Sequence, residues 1–67
     1  MDRLFQLGSV SNASRAKRIL GENGIRVRLV KTDAKQDGCA WGISLPEEKL
    51  LDAARILRGR GVRYESL

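Results

Sequence analysis

Histidine is absent from this chain, and cysteine occurs once, at Cys39. Without an imidazole there is no Ser-His-Asp triad and no Cys-His pair within one chain, and a lone thiol cannot assemble a structural zinc site. Nor can a single cysteine close an internal disulfide. Long apolar runs are also missing: no stretch approaches the ~20 residues that span a bilayer. The opening residues Met1-Asp2-Arg3-Leu4-Phe5 lack the apolar segment of a signal peptide. These absences predict a soluble, cytoplasmic protein with no membrane association, and nothing in the composition asks for a cofactor. Aromatic residues are scarce too, limited to Phe5, Trp41 and Tyr64.

What remains is a single small domain spanning residues 1–67. A chain of 67 residues buries only about 60% of the surface it exposes when unfolded. Its hydrophobic share of 42%, beside 31% charged residues, is that of a globular chain and not a disordered one. Thirteen Lys and Arg against eight Asp and Glu leave a net charge of +5, which favours anionic partners in general. The arginines are scattered, so there is no basic tail and no polybasic anchor.

Arg3 to Leu7 alternates as a short strand with Phe5 and Leu7 on one face, closed by Gly8. Ser9 and Ser11 are natural N-cap residues. Beyond them, Val10, Ala13, Ala16, Ile19 and Leu20 recur at helical spacing, and Asn23-Gly24 supplies a C-cap. Ile25 to Val30 alternates apolar and basic residues, the period of a half-buried strand. A polar segment from Thr32 to Gly38 precedes a third strand, Cys39 to Leu45. Pro46 suits a first helical position, with Glu47 and Glu48 complementing the helix dipole. Leu50, Ala53, Ala54 and Leu57 form the stripe of a second helix, stopped by Gly59 and Gly61, and Val62 to Glu65 is a last strand.

The order β-α-β-β-α-β has one compact solution under right-handed crossovers. It is an α+β, ferredoxin-like, four-stranded antiparallel sheet with both helices on one face. The expected strand order is 4-1-3-2, with the first and third strands central and adjacent. The end of the first strand (Leu7-Gly8-Ser9) then lies beside the start of the third, which opens with Cys39. The first helix begins at that same edge, so its exposed N–H groups, with Ser9 and Ser11, should gather near the thiol. A helix N-terminus carries roughly half a positive charge, and the pKa of thiols so placed falls from ~8.5 into the range ~3.5–7.5, the thiolate being the reactive form. Gly38 leaves the approach to Cys39 open, and Arg60, in the turn after the second helix, adds positive charge at the same edge. Against this stands core packing: free cysteine is also a small buried hydrophobe, and Cys39 is in phase with Trp41, Ile43 and Leu45.

The opposite face carries Leu4, Gln6, Arg26, Arg28, Ala40, Gly42, Ser44, Arg63 and Glu65. RNA-binding modules of this topology stack bases on aromatics of that face, and here it has none, which argues against nucleic acid as a partner. The single thiol likewise argues against a soft-metal carrier, which needs two.

The pieces Ser9 to Ser11, Ala13-Ser14-Arg15-Ala16, Gly24 to Val30 and Gly38-Cys39 together resemble a small bacterial family, the selenium/sulfur carrier-like proteins. Ala40 stands where that family usually has glycine after the cysteine, and Lys31 to Lys35 lacks its Pro-x-Pro-Arg-like stretch. The resemblance implies a carrier, rather than a true enzyme, that accepts a sulfur or selenium atom on Cys39 as a persulfide or selenopersulfide. Its partners would be a donor such as a cysteine desulfurase and an acceptor protein. A related group of small signal-transducing domains shares the topology without the cysteine. It suggests the alternative, a non-enzymatic protein-binding or regulatory module, which the small residues Ala40, Gly42 and Ser44 would let pair as a homodimer.

Overall fold

The structure is a computed structural model and describes residues 1–32 and 41–66. Strand β1 (Asp2–Gly8) buries Phe5 and Leu7, and β3 (Trp41–Pro46) buries Ile43 and Leu45. The two run antiparallel with Phe5 opposite Ile43 and Arg3 opposite Leu45, so their apolar side chains share one face. Strand β2 (Arg28–Lys31) flanks β3 with Leu29 opposite Ile43, and β4 (Glu65–Ser66) flanks β1 with Glu65 opposite Gln6. The four strands form one sheet in the order β2-β3-β1-β4, every neighbouring pair antiparallel. Counted from the β4 edge the strands run 4, 1, 3, 2, and β1 and β3 are the central pair.

Helices α1 (Val10–Glu22) and α2 (Leu50–Gly59) close over the apolar face. Ala13, Ala16, Ile19 and Leu20 of α1 and Ala53 and Leu57 of α2 join Phe5, Leu7, Ile43 and Leu45 in one buried cluster. The alanines let the helices approach the sheet closely. Trp41 and Tyr64 pack against the cluster, and the Tyr64 ring stacks on Phe5 at 4.4 Å and 23°. The protein is thus α+β, an open antiparallel sheet carrying two helices.

Several boundaries differ from those expected of the sequence. Val10 is 46% exposed, because its helical phase falls on the far side of Ala13 from Ala16, off the buried stripe. Pro46 is not a first helical residue. Its φ of −64° suits a helix but its ψ of 141° keeps it extended, and the following Glu47 amide donates to the Met1 carbonyl at 3.1 Å, holding the chain on the sheet. A 3₁₀ turn over Glu47–Lys49 intervenes before α2. The second strand begins at Arg28 and not Ile25, and the last at Glu65 and not Val62, although Ile25, Val27 and Val62 are buried. The third strand is described from Trp41 onward, so its expected start at Cys39 lies outside the described residues.

The two late strand starts have one cause. After α1, the Ile25 amide donates to Leu20 O at 2.8 Å and the Gly24 amide to Gly21 O at 3.1 Å. After α2, the Val62 amide donates to Leu57 O at 2.9 Å and the Gly61 amide to Arg58 O at 3.1 Å. Both are Schellman turns, with Gly24 (φ 81°) and Gly61 (φ 74°) in the left-handed region and an apolar residue folding back onto the helix. The donor that could open each strand is consumed in closing its helix. The chain repeats itself here: Ala16, Arg18, Ile19, Leu20, Gly24 and Arg26 recur at constant spacing as Ala53, Arg55, Ile56, Leu57, Gly61 and Arg63. The fold is two strand-helix-strand halves interleaved in one sheet.

Candidate functional site

Strand β1 ends at Gly8 (φ 87°), which stands opposite Trp41 across a register shift in the β1–β3 ladder. The chain then turns directly into α1. Ser9 is the N-cap: its backbone is extended (φ −98°, ψ 159°) and its Oγ accepts from the Asn12 amide at 3.2 Å. Its carbonyl accepts from the Ala13 amide at 3.0 Å, the first bond of the helix. A helix leaves its first four N–H groups without intrahelical partners. The Asn12 amide is satisfied by Ser9, while those of Val10 and Ser11 have no protein acceptor among the described residues. The first turn carries no acidic side chain to offset the dipole.

Ser11 is not a cap. With Ser9 in that role, Ser11 lies inside the first turn, exposed, and with Ser14, Arg15 and Arg18 it lines a shallow depression of about 400 Å³. Arg60 caps the C-terminal end of α2, exposed, its amide donating to Ile56 O and Leu57 O. Because β4 is antiparallel to β1 with Glu65 opposite Gln6, the turn that leads into β4 lies at the end of the sheet where β1 finishes and α1 starts. Ser9, Ser11 and the Arg60 turn therefore share one end of the molecule. Cys39 and Gly38 lie outside the described residues. The nearest described residue after them is Trp41, held between Gly8 on β1 and Lys31 on β2.

Thr32 belongs to this end too, although the sequence pattern assigns it only to a polar loop. Its hydroxyl donates to Gln6 Oε1 at 2.8 Å. Gln6, Gly42 and Val30 form one row across β1, β3 and β2, and the missing side chain at Gly42 leaves Gln6 room to reach over the middle strand. No periodicity could have shown that pairing.

The uncovered face carries Leu4, Gln6, Arg28, Val30, Gly42, Ser44 and Glu65, with no aromatic residue among those described. Phe5, Trp41 and Tyr64 all belong to the inner side. At the opposite end of the sheet a cleft of about 420 Å³ has a floor of Ile25, Val27, Leu45 and Pro46 and a rim that includes Lys17, Arg26 and Arg28. No helix among the described residues is long and apolar enough to cross a membrane. Compared with protein families, with curated proteins and with solved structures, the chain matches none.

Proposed function

We propose that this chain is a small sulfur or selenium carrier of ferredoxin-like fold, loaded at Cys39. The observation that carries the reading is the amino end of α1, with two amides that have no acceptor among the described residues and no acidic residue in its first turn, opening beside the strand end where Gly8 meets Trp41. Cys39 precedes Trp41 by two residues in the chain.

In the proposed reaction the Cys39 thiolate attacks the outer sulfur of a donor persulfide, R–S–SH. The donor's S–S bond breaks, its thiolate departs with the bonding pair, and Cys39–S–SH remains. A nucleophile on the acceptor then takes the outer sulfur and restores the Cys39 thiolate, so the sulfane atom moves with no net redox change. The amides of Val10 and Ser11 and the hydroxyls of Ser9 and Ser11 stabilise the persulfide anion, Gly38 adds no side chain next to Cys39 in the sequence, and Arg60 contributes positive charge. A lone thiol suits the task because no second cysteine resolves the persulfide into a disulfide. The chemistry belongs to a compartment that keeps thiols reduced, the cytoplasm.

Incubation with a cysteine desulfurase and either cysteine or selenocysteine, so that the donor holds a persulfide or a selenopersulfide, should add a mass of about 32 or about 80 to Cys39, a reversible cap that a reductant removes. The thiol should also alkylate rapidly at neutral pH. The absence of any adduct, together with alkylation at the rate of an ordinary thiol, overturns the reading. A second reading, a protein-binding module, draws on the uncovered sheet face around Gly42 and Ser44, where a second copy or another protein would sit. It is favoured if Cys39→Ser retains every partner, and light scattering tests the homodimer.

A further inference from the structure

The two Schellman turns close their helices with the same hydrogen bonds but carry different charge. After α1 the turn holds Gly21, Glu22 and Asn23, followed by Arg26. At the equivalent positions after α2 stand Arg58, Gly59 and Arg60, followed by Arg63. Closure of the turn does not require the extra cations, because the chain builds the same turn without them. The helix dipole favours a cation at a C-terminus, yet α1 ends with no basic residue in its last turn. Arg58, Arg60 and Arg63 are all exposed, and none forms an ion pair among the described residues, where the pairs are Arg3–Glu47 and Arg55–Asp52. Arg58 and Arg63 line a depression of about 570 Å³ together with Gly61, Val62 and Tyr64. Val62 is buried and Tyr64 is stacked on Phe5, so the arginines project from an anchored turn.

From these observations we infer that the Arg58-Arg60-Arg63 turn is the docking surface for an acidic patch on the donor protein that loads Cys39. The inference rests on the carrier reading and adds the partner's chemistry to it. The turn lies at the end of the sheet where β1 finishes and α1 begins, so a partner held there meets the loading end. An acidic protein surface fits better than nucleic acid because the only aromatic ring in the turn is committed to Phe5, leaving none on which a base could stack. Clustered charges of this kind act mainly by steering encounter, raising association rates by roughly 10–10³ and weakening with salt.

The test compares two donors on the full chain and on a double variant, Arg58→Gln and Arg63→Gln, which leaves Arg60 in place. Unchanged thermal melting verifies the fold. A cysteine desulfurase with cysteine is the protein donor, and glutathione persulfide is the small one. The rate of Cys39 persulfidation by the desulfurase should fall about tenfold or more in the variant and lose its dependence on salt, while loading by glutathione persulfide stays unchanged. Equal desulfurase rates in both proteins overturn the docking surface and leave the carrier standing. Failure of the parent chain to load from either donor overturns the carrier reading itself. Salt-sensitive binding of a single-stranded oligonucleotide to the parent chain, lost in the variant while desulfurase transfer is not, overturns the acidic-protein partner.

Discussion

Adding one methyl group at two glycines should move stability in opposite directions. Gly42 is the second residue of β3, buried, and a Cβ built there runs into the Phe5 carbonyl oxygen and comes within 3.3 Å of the Phe5 carbonyl carbon. The obstacle is the backbone of the other central strand, which cannot swing aside as a side chain could. Overpacking of this kind costs about 1–3 kcal/mol, and a backbone obstacle puts Gly42→Ala in the upper half of that range. At ~4–8 °C per kcal/mol for a domain of this size, the melting temperature should fall by roughly 8–24 °C. Gly21 is the counterpart. It lies in α1 with a negative φ and nothing within 4 Å of a built Cβ, so Gly21→Ala should gain about 0.5–1 kcal/mol through the helix preference of alanine. Thermal unfolding followed by far-UV circular dichroism reads both. If Gly42→Ala melts with or above the parent, the close approach of β1 and β3 at this position is wrong, and if Gly21→Ala melts below the parent, the open space beside α1 at Gly21 is wrong.

Three further substitutions probe other parts of the construction. Ser9→Ala removes the oxygen that accepts from the Asn12 amide and should cost about 1 kcal/mol, read by urea denaturation; no loss would mean that the cap is not formed in solution. Leu57→Ala empties a fully buried position at the centre of the α2 stripe and should cost about 2–5 kcal/mol. That is comparable to the ~3–10 kcal/mol expected of the whole chain, so a cooperative, parent-like melt would refute its place in the core. Asp52→Asn breaks the ion pair with Arg55 at 2.6 Å, but both side chains are half or more exposed. It should shift stability by no more than about 0.5 kcal/mol, and a loss several times larger would show that the pair is shielded from water.

Most of the architecture was legible as pattern. Phe5 and Leu7 alternate, Ala13, Ala16, Ile19 and Leu20 recur at helical spacing, and Gly24 and Gly61 stand where helices must stop. Each is a local rule, and each leads to the element observed. The failures were equally local in origin. Ile25 and Val62 read as strand residues because they are apolar and in phase, but their amides are taken by Leu20 and Leu57. Pro46 fits a helix start by φ alone, and only ψ, set by the pairing of β1 with β3, decided otherwise. Of the candidate site, Ser9 was legible as a cap, because an N-cap is a contest between neighbouring residues. Ser11 competed for the same role and lost it. Thr32 was illegible, since its partner Gln6 is 26 residues away.

Composition and spacing alone determined that this chain has no histidine chemistry and no internal disulfide, and that it alternates strands with two amphipathic helices. Those properties follow from residue identity and short-range periodicity, which no tertiary contact can alter. Only the folded chain decided that Pro46 stays paired with Asp2 on the sheet, and that Gly42 lets Gln6 reach Thr32. Such neighbours are brought together by antiparallel pairing between strands far apart in sequence, and their register is set by the whole core at once.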